Sequence, residues 1–332
     1  MVNNDFRSTV ELINKSENIL ITSHTKPDGD ACGCIAAMCD ALEALGKKVK
    51  PLFLSPVPQW YEFLFTKYVP VLSEDIKTEE LMEGRFGEFD LIVIVDTNSY
   101  TQLSDFEKYL KKSDASVLVI DHHVTSDGLG DVELIDSTAA ATAMIVYGLF
   151  KYAGWNITEK IAEALFVAAA TDTGWFQFSN TDSKTFRTCA ELIDAGAKPT
   201  KNFHDLYHNF TEARFRLMLC MLNSIELDFD GRYASYQLTQ EDFKQTGATY
   251  KDTENLIDEC KRIASVEVIA LFVEQADGGI RCSMRSTDSV NVCNIMLKYG
   301  GGGHNMAAAS SHYESIEDVK RKIRSEVKKQ LF

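Results

Sequence analysis

The run Val117-Leu118-Val119-Ile120 stops on Asp121-His122-His123. Four apolar, mostly β-branched residues are too few for a helix and read as a buried strand. A carboxylate and two imidazoles at the end of such a strand are not core residues, because titratable groups are costly to bury unless paired or bound to a metal. The pattern recurs twice upstream. Phe89 to Val95 reads as a strand that stops on Asp96, and Ile19 to Thr22 leads into His24-Thr25-Lys26-Pro27-Asp28-Gly29-Asp30. Open α/β sheets bind ligands beyond the carboxyl ends of their strands. The chain is therefore read as a sheet that gathers His and Asp at one edge to hold metal.

Composition narrows the setting. With 332 residues, 45% hydrophobic and 25% charged, the chain has ordinary globular character and enough length for two cores. No apolar run approaches the roughly 20 residues that span a bilayer, and Met1-Val2-Asn3-Asn4-Asp5 lacks the basic-then-apolar layout of a signal peptide. The 8 cysteines are scattered through apolar contexts, which fits small core residues in a reducing, cytoplasmic setting. A formal net charge of −15 argues against long duplex nucleic acid as a partner, since such binders carry basic patches. A short anionic ligand held by local charges remains allowed.

Along the chain, helix patterns follow the strands. One runs from about Ala31 to Leu45 with Gly46 as its stop, and Lys48–Leu54 reads as another strand. Pro56 to Gly87 has no clear period. Phe89–Val95 and Ser116–Ile120 flank a polar helix, giving the repeated β-α-β of a parallel sheet. Ser137-Thr138 is expected to open an Ala-rich helix ending near Gly154, and helices follow at Thr158–Thr171 and Thr181–Ala195. Gly196 to Pro199 marks a boundary. The expected domains are residues 1–196, a helical connector over 197–227, and a second domain over 228–332. In the second, Arg232–Leu238 alternates as a strand, Glu254–Ile263 is helical, and Val266–Glu274 with Ile280–Arg285 forms a hairpin across Asp277-Gly278-Gly279. A helix at Val290–Tyr299, the run Gly300-Gly301-Gly302-Gly303-His304 and a charged terminal helix complete the chain.

The chemistry rests on four motifs: His24-x-x-Pro27-Asp28-Gly29-Asp30, Asp96, Asp121-His122-His123, and Asp172 ahead of Gly174. Gly29 is expected to let its loop turn tightly. Imidazole with hard oxygen suits Mn²⁺ or a similar divalent ion better than structural zinc, which recruits thiolates. Six or seven ligands exceed one ion and fit a pair about 3.5–4 Å apart, the arrangement of hydrolytic displacement by an activated hydroxide. Taken singly, Asp96 and Asp172 read as caps or loop carboxylates, and His204 with His208 as connector histidines lacking a third ligand. In the second domain, the glycine run leaves backbone N–H groups open to an anion, His304 can donate to it, and Arg285 can grip a phosphate in two places. Arg281 and Lys298 add to the local field, and Asn291 serves as a helix cap or a ligand contact.

These motifs resemble those of the DHH phosphoesterases, the superfamily of RecJ-like exonucleases, family II pyrophosphatases and oligoribonuclease/phosphoadenosine-phosphate phosphatases. The second half resembles the DHH-associated C-terminal domain in Arg285-Ser286, Ser289-Val290-Asn291-Val292 and the Gly300–His304 run. The resemblance implies an α/β fold of two lobes, an N-terminal parallel-sheet domain and a smaller mixed α/β domain, with the active site in the cleft between them. It implies that His24, Asp28 and Asp96 hold one Mn²⁺, and that Asp30, Asp96, His122 and Asp172 hold another, with Mg²⁺ or Co²⁺ as substitutes. Asp121 is then expected to orient His122, and His123 to face the substrate phosphate, so that Asp96, Asp121 and His123 form the catalytic set. Ser286, Asn291, Gly301, Gly302 and Gly303 join Arg285, His123 and His304 as substrate contacts. Cys32 and Cys34 stand where the family has other small or apolar residues and are expected to touch no ligand, and Ala309 stands where Gly is common.

The plan looks most like the nanoRNase/phosphoadenosine-phosphate phosphatase branch. It implies hydrolysis of short oligonucleotides, linear dinucleotides and 3′-phosphoadenosine 5′-phosphate, by a soluble protein with no membrane partner and with homodimerisation allowed. An exopolyphosphatase or other phosphoanhydride hydrolase is the enzymatic alternative, and a nucleotide sensor on the same fold is the non-enzymatic one.

Overall fold

The computed structural model describes residues 3–208, 210–287 and 290–332, apart from the side chains of residues 3, 4 and 304. Ser289, named in the resemblance, lies outside the described residues. The chain divides into two compact units, Met1–Asn209 and Phe210–Phe332.

The first unit opens with α1 (Asn3–Lys15), β1 (Asn18–Thr22), α2 (Gly29–Ala44) and β2 (Lys48–Pro51). It continues through α3 (Thr78–Met82), β3 (Leu91–Val95), α4 (Phe106–Leu110), β4 (Ser116–Asp121) and β5 (Val132–Ile135). Four helices close it: α5 (Thr142–Ala153), α6 (Glu159–Asp172), α7 (Ser183–Asp194) and α8 (Pro199–Tyr207). Its sheet has the order β2-β1-β3-β4-β5, with every pair parallel. Both faces are covered, which is why the strands read as unbroken apolar runs. Ile19, Ile21, Val93, Val95, Leu118 and Ile120 pack with α2, α5 and α6. Leu20, Ile92, Ile94 and Val119 point the other way, onto Phe106 and Leu110 of α4.

The strand order reverses at β1, with β2 on one side and β3 on the other. Beyond the carboxyl ends of strands at such a switch point, connecting loops diverge and leave a crevice. His24, Asp96 and Asp121 belong to the ends of β1, β3 and β4.

The second unit comprises α9 (Glu212–Asn223), β6 (Glu226–Asp228), β7 (Tyr233–Leu238), α10 (Gln240–Thr246), β8 (Val268–Glu274), β9 (Ile280–Ser286), α11 (Val292–Leu297), β10 (Gly302–His304), β11 (Ala307–His312) and α12 (Ile316–Leu331). Its mixed sheet has the order β10-β11-β9-β8-β7-β6, parallel only between β7 and β8. The faces again sort by alternation. Val268, Ala270 and Phe272 meet Val319, Ile323 and Val327 of α12. Ile269, Leu271 and Val273 meet Leu217 and Met221 of α9.

Several expectations shift. The strand expected over Lys48–Leu54 ends at Pro51, and Phe53 makes only an isolated bridge to Val71. The Ala-rich helix starts at Thr142 rather than at Ser137-Thr138, because Asp136 binds the amide and hydroxyl of Thr138 and holds that stretch in a turn. Glu254–Ile263 winds as 3-10 turns over Leu256–Arg262. Within residues 197–227, α8 and α9 fall one in each unit, and Glu226 opens β6. Among the described residues no helix is long and apolar enough to cross a membrane.

Candidate metal centre

Each acidic side chain of the cluster reaches its place through a backbone feature. Asp28 is the N-cap of α2, its Oδ1 accepting from the amides of Asp30 and Ala31 at 3.0 and 3.1 Å. Asp30, two residues further, caps a different helix. Its Oδ2 accepts from the Thr142 amide at 2.6 Å and its Oδ1 from the Ala143 amide at 3.0 Å, where the local N-cap of α5 is Ala141, which has no capping atom. Two helix N-termini thus point positive dipole ends at two carboxylates. Asp96 leaves β3 in the left-handed region, with φ 62, a conformation Asp tolerates better than most residues. Its Oδ1 accepts from the Thr142 hydroxyl at 2.9 Å.

Gly29 is required for a reason other than the expected tight turn. It begins α2 without a positive φ, and a Cβ there would lie 2.1 Å from the Thr171 hydroxyl of α6. The glycine lets α2 close onto α6, which brings Asp172, the last residue of α6, to the Asp28–Asp30 loop.

The imidazoles are oriented by their Nδ1 atoms. The ring of His24 donates to the Thr25 carbonyl at 2.8 Å and that of His122 to the Ala139 carbonyl at 3.2 Å, which leaves both Nε2 lone pairs for a cation. His24 Nε2 lies 4.0 Å from Asp28 Oδ1 and 3.4 Å from Asp96 Oδ2. His122 Nε2 lies 3.6 Å from Asp96 Oδ1 and 3.6 Å from Asp172 Oδ2. Asp30, His122 and Asp172 form one group of converging donor atoms, and His24, Asp28 and Asp96 form another. Asp96 turns one oxygen to each group.

Asp121 acts on a different histidine from the one expected. Its Oδ1 accepts from the ring Nδ1 of His123 at 2.8 Å and from the amides of His122 and His123 at 2.8 and 3.2 Å. The ring of His122 is held by Ala139 instead. His123 is half exposed, and its Nε2 is the ring nitrogen that Asp121 leaves free. The thiols also differ from expectation, for Cys34 Sγ donates to Asp30 Oδ1 at 3.4 Å. Thr142 and Ala139 carry no such mark in the sequence. The one available signal was an Ala-Thr run, Ala139 to Thr142, with no capping residue in front of a helix.

Electrostatics favour cations here. Burial, then the charge of Asp28, pushes the Asp30 carboxyl up from its ordinary range. Burial, then Asp30 and Asp28, pushes Asp96 well up. Burial, then Asp30 and Asp28, raises Asp172 to about 7. Carboxylates that resist ionisation beside one another, with imidazole lone pairs turned inward, form a donor set that a divalent cation would complete. The residues fit such an ion. The hydrogen bond to Asp121 holds the His123 imidazole above its usual value, against the opposing effect of burial.

The substrate-side expectations spread over the second unit. Arg285 lies on β9 opposite Ala307 of β11, which lies opposite residue 304 of β10, so the three share one cross-strand row. The Arg285 guanidinium donates to the Met284 carbonyl at 3.1 Å, and its Nε lies 3.4 Å from Asp258. Ser286 and Asn291 have structural partners. The Ser286 hydroxyl donates to the Val290 carbonyl at 2.6 Å, and Asn291 caps α11 through the Asn294 amide while donating to Asn305. Lys298 is paired with Glu326. In the glycine run, a Cβ at Gly301 or Gly303 would lie 2.2 or 2.4 Å from a β11 carbonyl, whereas one at Gly302 meets nothing within 4 Å. His204 of α8 and His208, its C-cap, meet edge to face with ring centroids 5.5 Å apart, outside every donor group found among the described residues.

With this geometry in place, comparison with known proteins is informative. Residues 18–169 match the sequence profile described as "DHH family, N-terminal domain", and residues 230–331 match the "DHHA1 domain". The chain is 30% identical over 298 residues to a bifunctional oligoribonuclease and PAP phosphatase of Thermus thermophilus, covering 88% of this chain and 83% of that one. It is 28% identical over 308 residues to the Bacillus subtilis protein of the same description, covering 92% of each. The crystal structure of an exopolyphosphatase-related protein from Bacteroides fragilis superposes with a TM-score of 0.85 at 21% identity, covering 99% of this chain and 96% of that one.

Proposed function

The chain belongs to the DHH family and hydrolyses phosphoester bonds, and on that premise we propose that it is a two-cation phosphoesterase of short oligonucleotides and 3′-phosphoadenosine 5′-phosphate. The supporting observation is the pair of Asp96 oxygens, one turned to His24 and one to His122. His24, Asp28 and Asp96 would hold one divalent cation, and Asp30, Asp96, His122 and Asp172 a second, with Mn²⁺ as the preferred ion. Bound there, the cations supply an activated water and neutralise charge on the phosphate. The chain's own residues do the rest. Asp121 fixes the His123 ring and favours its protonated form, so its free Nε2–H donates to a phosphate oxygen. Asp28 and Asp30, clamped as helix caps, hold the donor set in place before substrate arrives.

In the second unit, Arg285 and His304, with the backbone amides near Gly302, are proposed to take the substrate's far phosphate. The relatives described as oligoribonucleases and PAP phosphatases support this substrate class. The 8 cysteines, all free thiols, suit a cytoplasmic setting. The test is one assay of the Mn²⁺-loaded protein on a dinucleotide, 3′-phosphoadenosine 5′-phosphate and polyphosphate. Release of mononucleotide and adenosine phosphate is expected, with little release from polyphosphate. Faster release from polyphosphate would move the protein to phosphoanhydride chemistry, and tight nucleotide binding without turnover would make it a sensor.

A further inference from the structure

Beyond Asp172, α6 ends in a reversal that carries two aromatic residues. The Gly174 amide donates to the Thr171 carbonyl and the Trp175 amide to the Ala170 carbonyl at 2.6 Å. Trp175 and Phe176 follow in the left-handed region, with φ 54 and 66. That conformation is unfavourable for bulky residues, and two in succession persist only where the surroundings impose it. Phe176 has a structural reason, since its ring packs on Phe166 and Phe186 at 6.2 and 5.2 Å. Trp175 packs on Phe166 as well, with ring centroids 6.1 Å apart. Its indole N–H is buried beside the Tyr207 phenol, with which it interacts. Its ring also meets α8, 4.9 Å from Phe203 and 5.8 Å from Tyr207, both edge to face.

Those two rings are not covered. Phe203 is 39% exposed and Tyr207 44%. They stand four residues apart on α8, with ring centroids 5.0 Å from each other. Chain position ties the group to the candidate metal centre, since Trp175 follows Asp172 by three residues. Tyr61, from the 3-10 turn Gln59–Leu64, has a phenol raised above its ordinary value by burial and then by the Asp28 carboxylate and the Tyr207 phenol, so it lies within electrostatic reach of both. The aromatic group therefore begins at the turn after Asp172, one of the carboxylates of the proposed donor set.

An open aromatic surface beside a phosphate site fits one kind of occupant. A nucleotide whose phosphate is held at the cation centre carries a flat ring a few bonds away, and bases of any sequence stack on aromatic faces. We propose that Trp175, Phe203 and Tyr207 form a stacking platform for a nucleobase of the substrate. This rests on the nucleotide reading above and specifies how the first unit would tell a nucleotide from other phosphate esters. It also accounts for the strain at Trp175, which holds the ring at this edge.

The test compares equilibrium binding of adenosine 5′-monophosphate and ribose 5-phosphate to the Mn²⁺-loaded full chain, with a separate dinucleotide hydrolysis assay. The parent is expected to bind the base-bearing ligand more tightly, by roughly tenfold or more. Trp175→Ala should lose most of that preference while its affinity for ribose 5-phosphate stays within about twofold, and Trp175→Phe should keep much of it. Tyr207→Leu, on an exposed helix face, checks the platform without touching the strained turn and should lower the preference in part. Equal affinities in the parent, or an undiminished preference in both Trp175→Ala and Tyr207→Leu, would overturn the platform. Hydrolysis of the dinucleotide without a base preference refutes only this inference. A base preference without hydrolysis leaves it standing and refutes the catalytic reading instead.

Discussion

In the first unit, Asp28, Asp30 and Asp96 are each held by groups that the fold supplies: the start of α2, the start of α5 and the Thr142 hydroxyl. In the second unit, the residues proposed to read substrate divide. Ser286 and Asn291 are committed to the backbone around them, Arg285 lies beside Asp258, and Gly302 has open space where a side chain would stand. The first arrangement fixes donor atoms in advance, as preorganised catalysis requires. The second keeps a charged fork and an unencumbered stretch of backbone, which suits ligands of varying length. Changes in the two places should therefore separate metal content from substrate affinity.

The sharpest break would come at Asp96. Asp96→Ala removes the carboxylate that faces both donor groups, so bound Mn²⁺ should fall below one per chain and activity by about a thousandfold or more, several kcal/mol of lost stabilisation. Metal analysis beside a dinucleotide assay decides it. Two retained ions with near-parental turnover would refute the sharing of Asp96. The counterpart is Arg285→Ala, which should leave Mn²⁺ content intact and raise KM on a dinucleotide roughly 10- to 100-fold, the loss of a charge-assisted pair of hydrogen bonds. Remote binding also positions the reacting phosphate, so some loss of kcat is expected as well. Adding His304→Ala should cost little beyond the worse single change if both hold one phosphate. Unchanged kinetics in Arg285→Ala would return the second unit to a structural role.

Neighbouring glycines sharpen the contrast further. Gly301→Ala drives a methyl against the Ala309 carbonyl and should cost about 1–3 kcal/mol of stability, seen as a lower Tm. Gly302→Ala meets nothing, so Tm should hold while KM rises by roughly threefold to tenfold, the effect of about 1 kcal/mol where a ligand comes close to the backbone. If both variants lose stability equally, or if Gly302→Ala binds substrate as the parent does, the run is a packing device alone.

The parts of this plan that were legible in the sequence are those where chemistry and strand period coincide. Three buried runs ending on His or Asp gave the parallel sheet and its ligand-bearing edge, because fully buried strands and exposed titratable groups leave opposite marks. What stayed hidden depends on contacts distant in sequence. Val132–Ile135 is too short to show a period, and Ala307–His312 has no β-branched residue to mark it as a strand. The start of α5 was misplaced because its cap, Asp30, lies 112 residues away. Asp121 was paired with the wrong ring, since sequence cannot tell which of two adjacent imidazoles turns back. Gly29 looked like a turn residue and is a contact residue, a distinction only the packing of α2 on α6 reveals.

The smallest effect is also the one that tests the electrostatics of the first unit by itself. Without cations, Asp172 is held near 7, against an ordinary 3.8, by burial and by Asp30 and Asp28. A carboxyl whose folded value is raised adds stability fully below its unfolded value, and that stability is lost as pH rises through the folded one. In chelator, the parent's Tm should therefore fall between about pH 4 and pH 8. Asp172→Asn cannot ionise there and should be more stable than the parent at pH 8 by about 1–2 kcal/mol, discounted for a side chain that is one-quarter exposed, or a few degrees in Tm. Asp30 and Asp96 are raised too, so part of the slope should survive the substitution. Saturating Mn²⁺ should reverse the sign, because ligation requires the ionised carboxylate and strengthens as pH rises. A chelated parent whose Tm stays level or climbs across that window would mean that the crowded carboxylates are relieved within the protein itself, and that the first unit needs no cation to hold its donor set together.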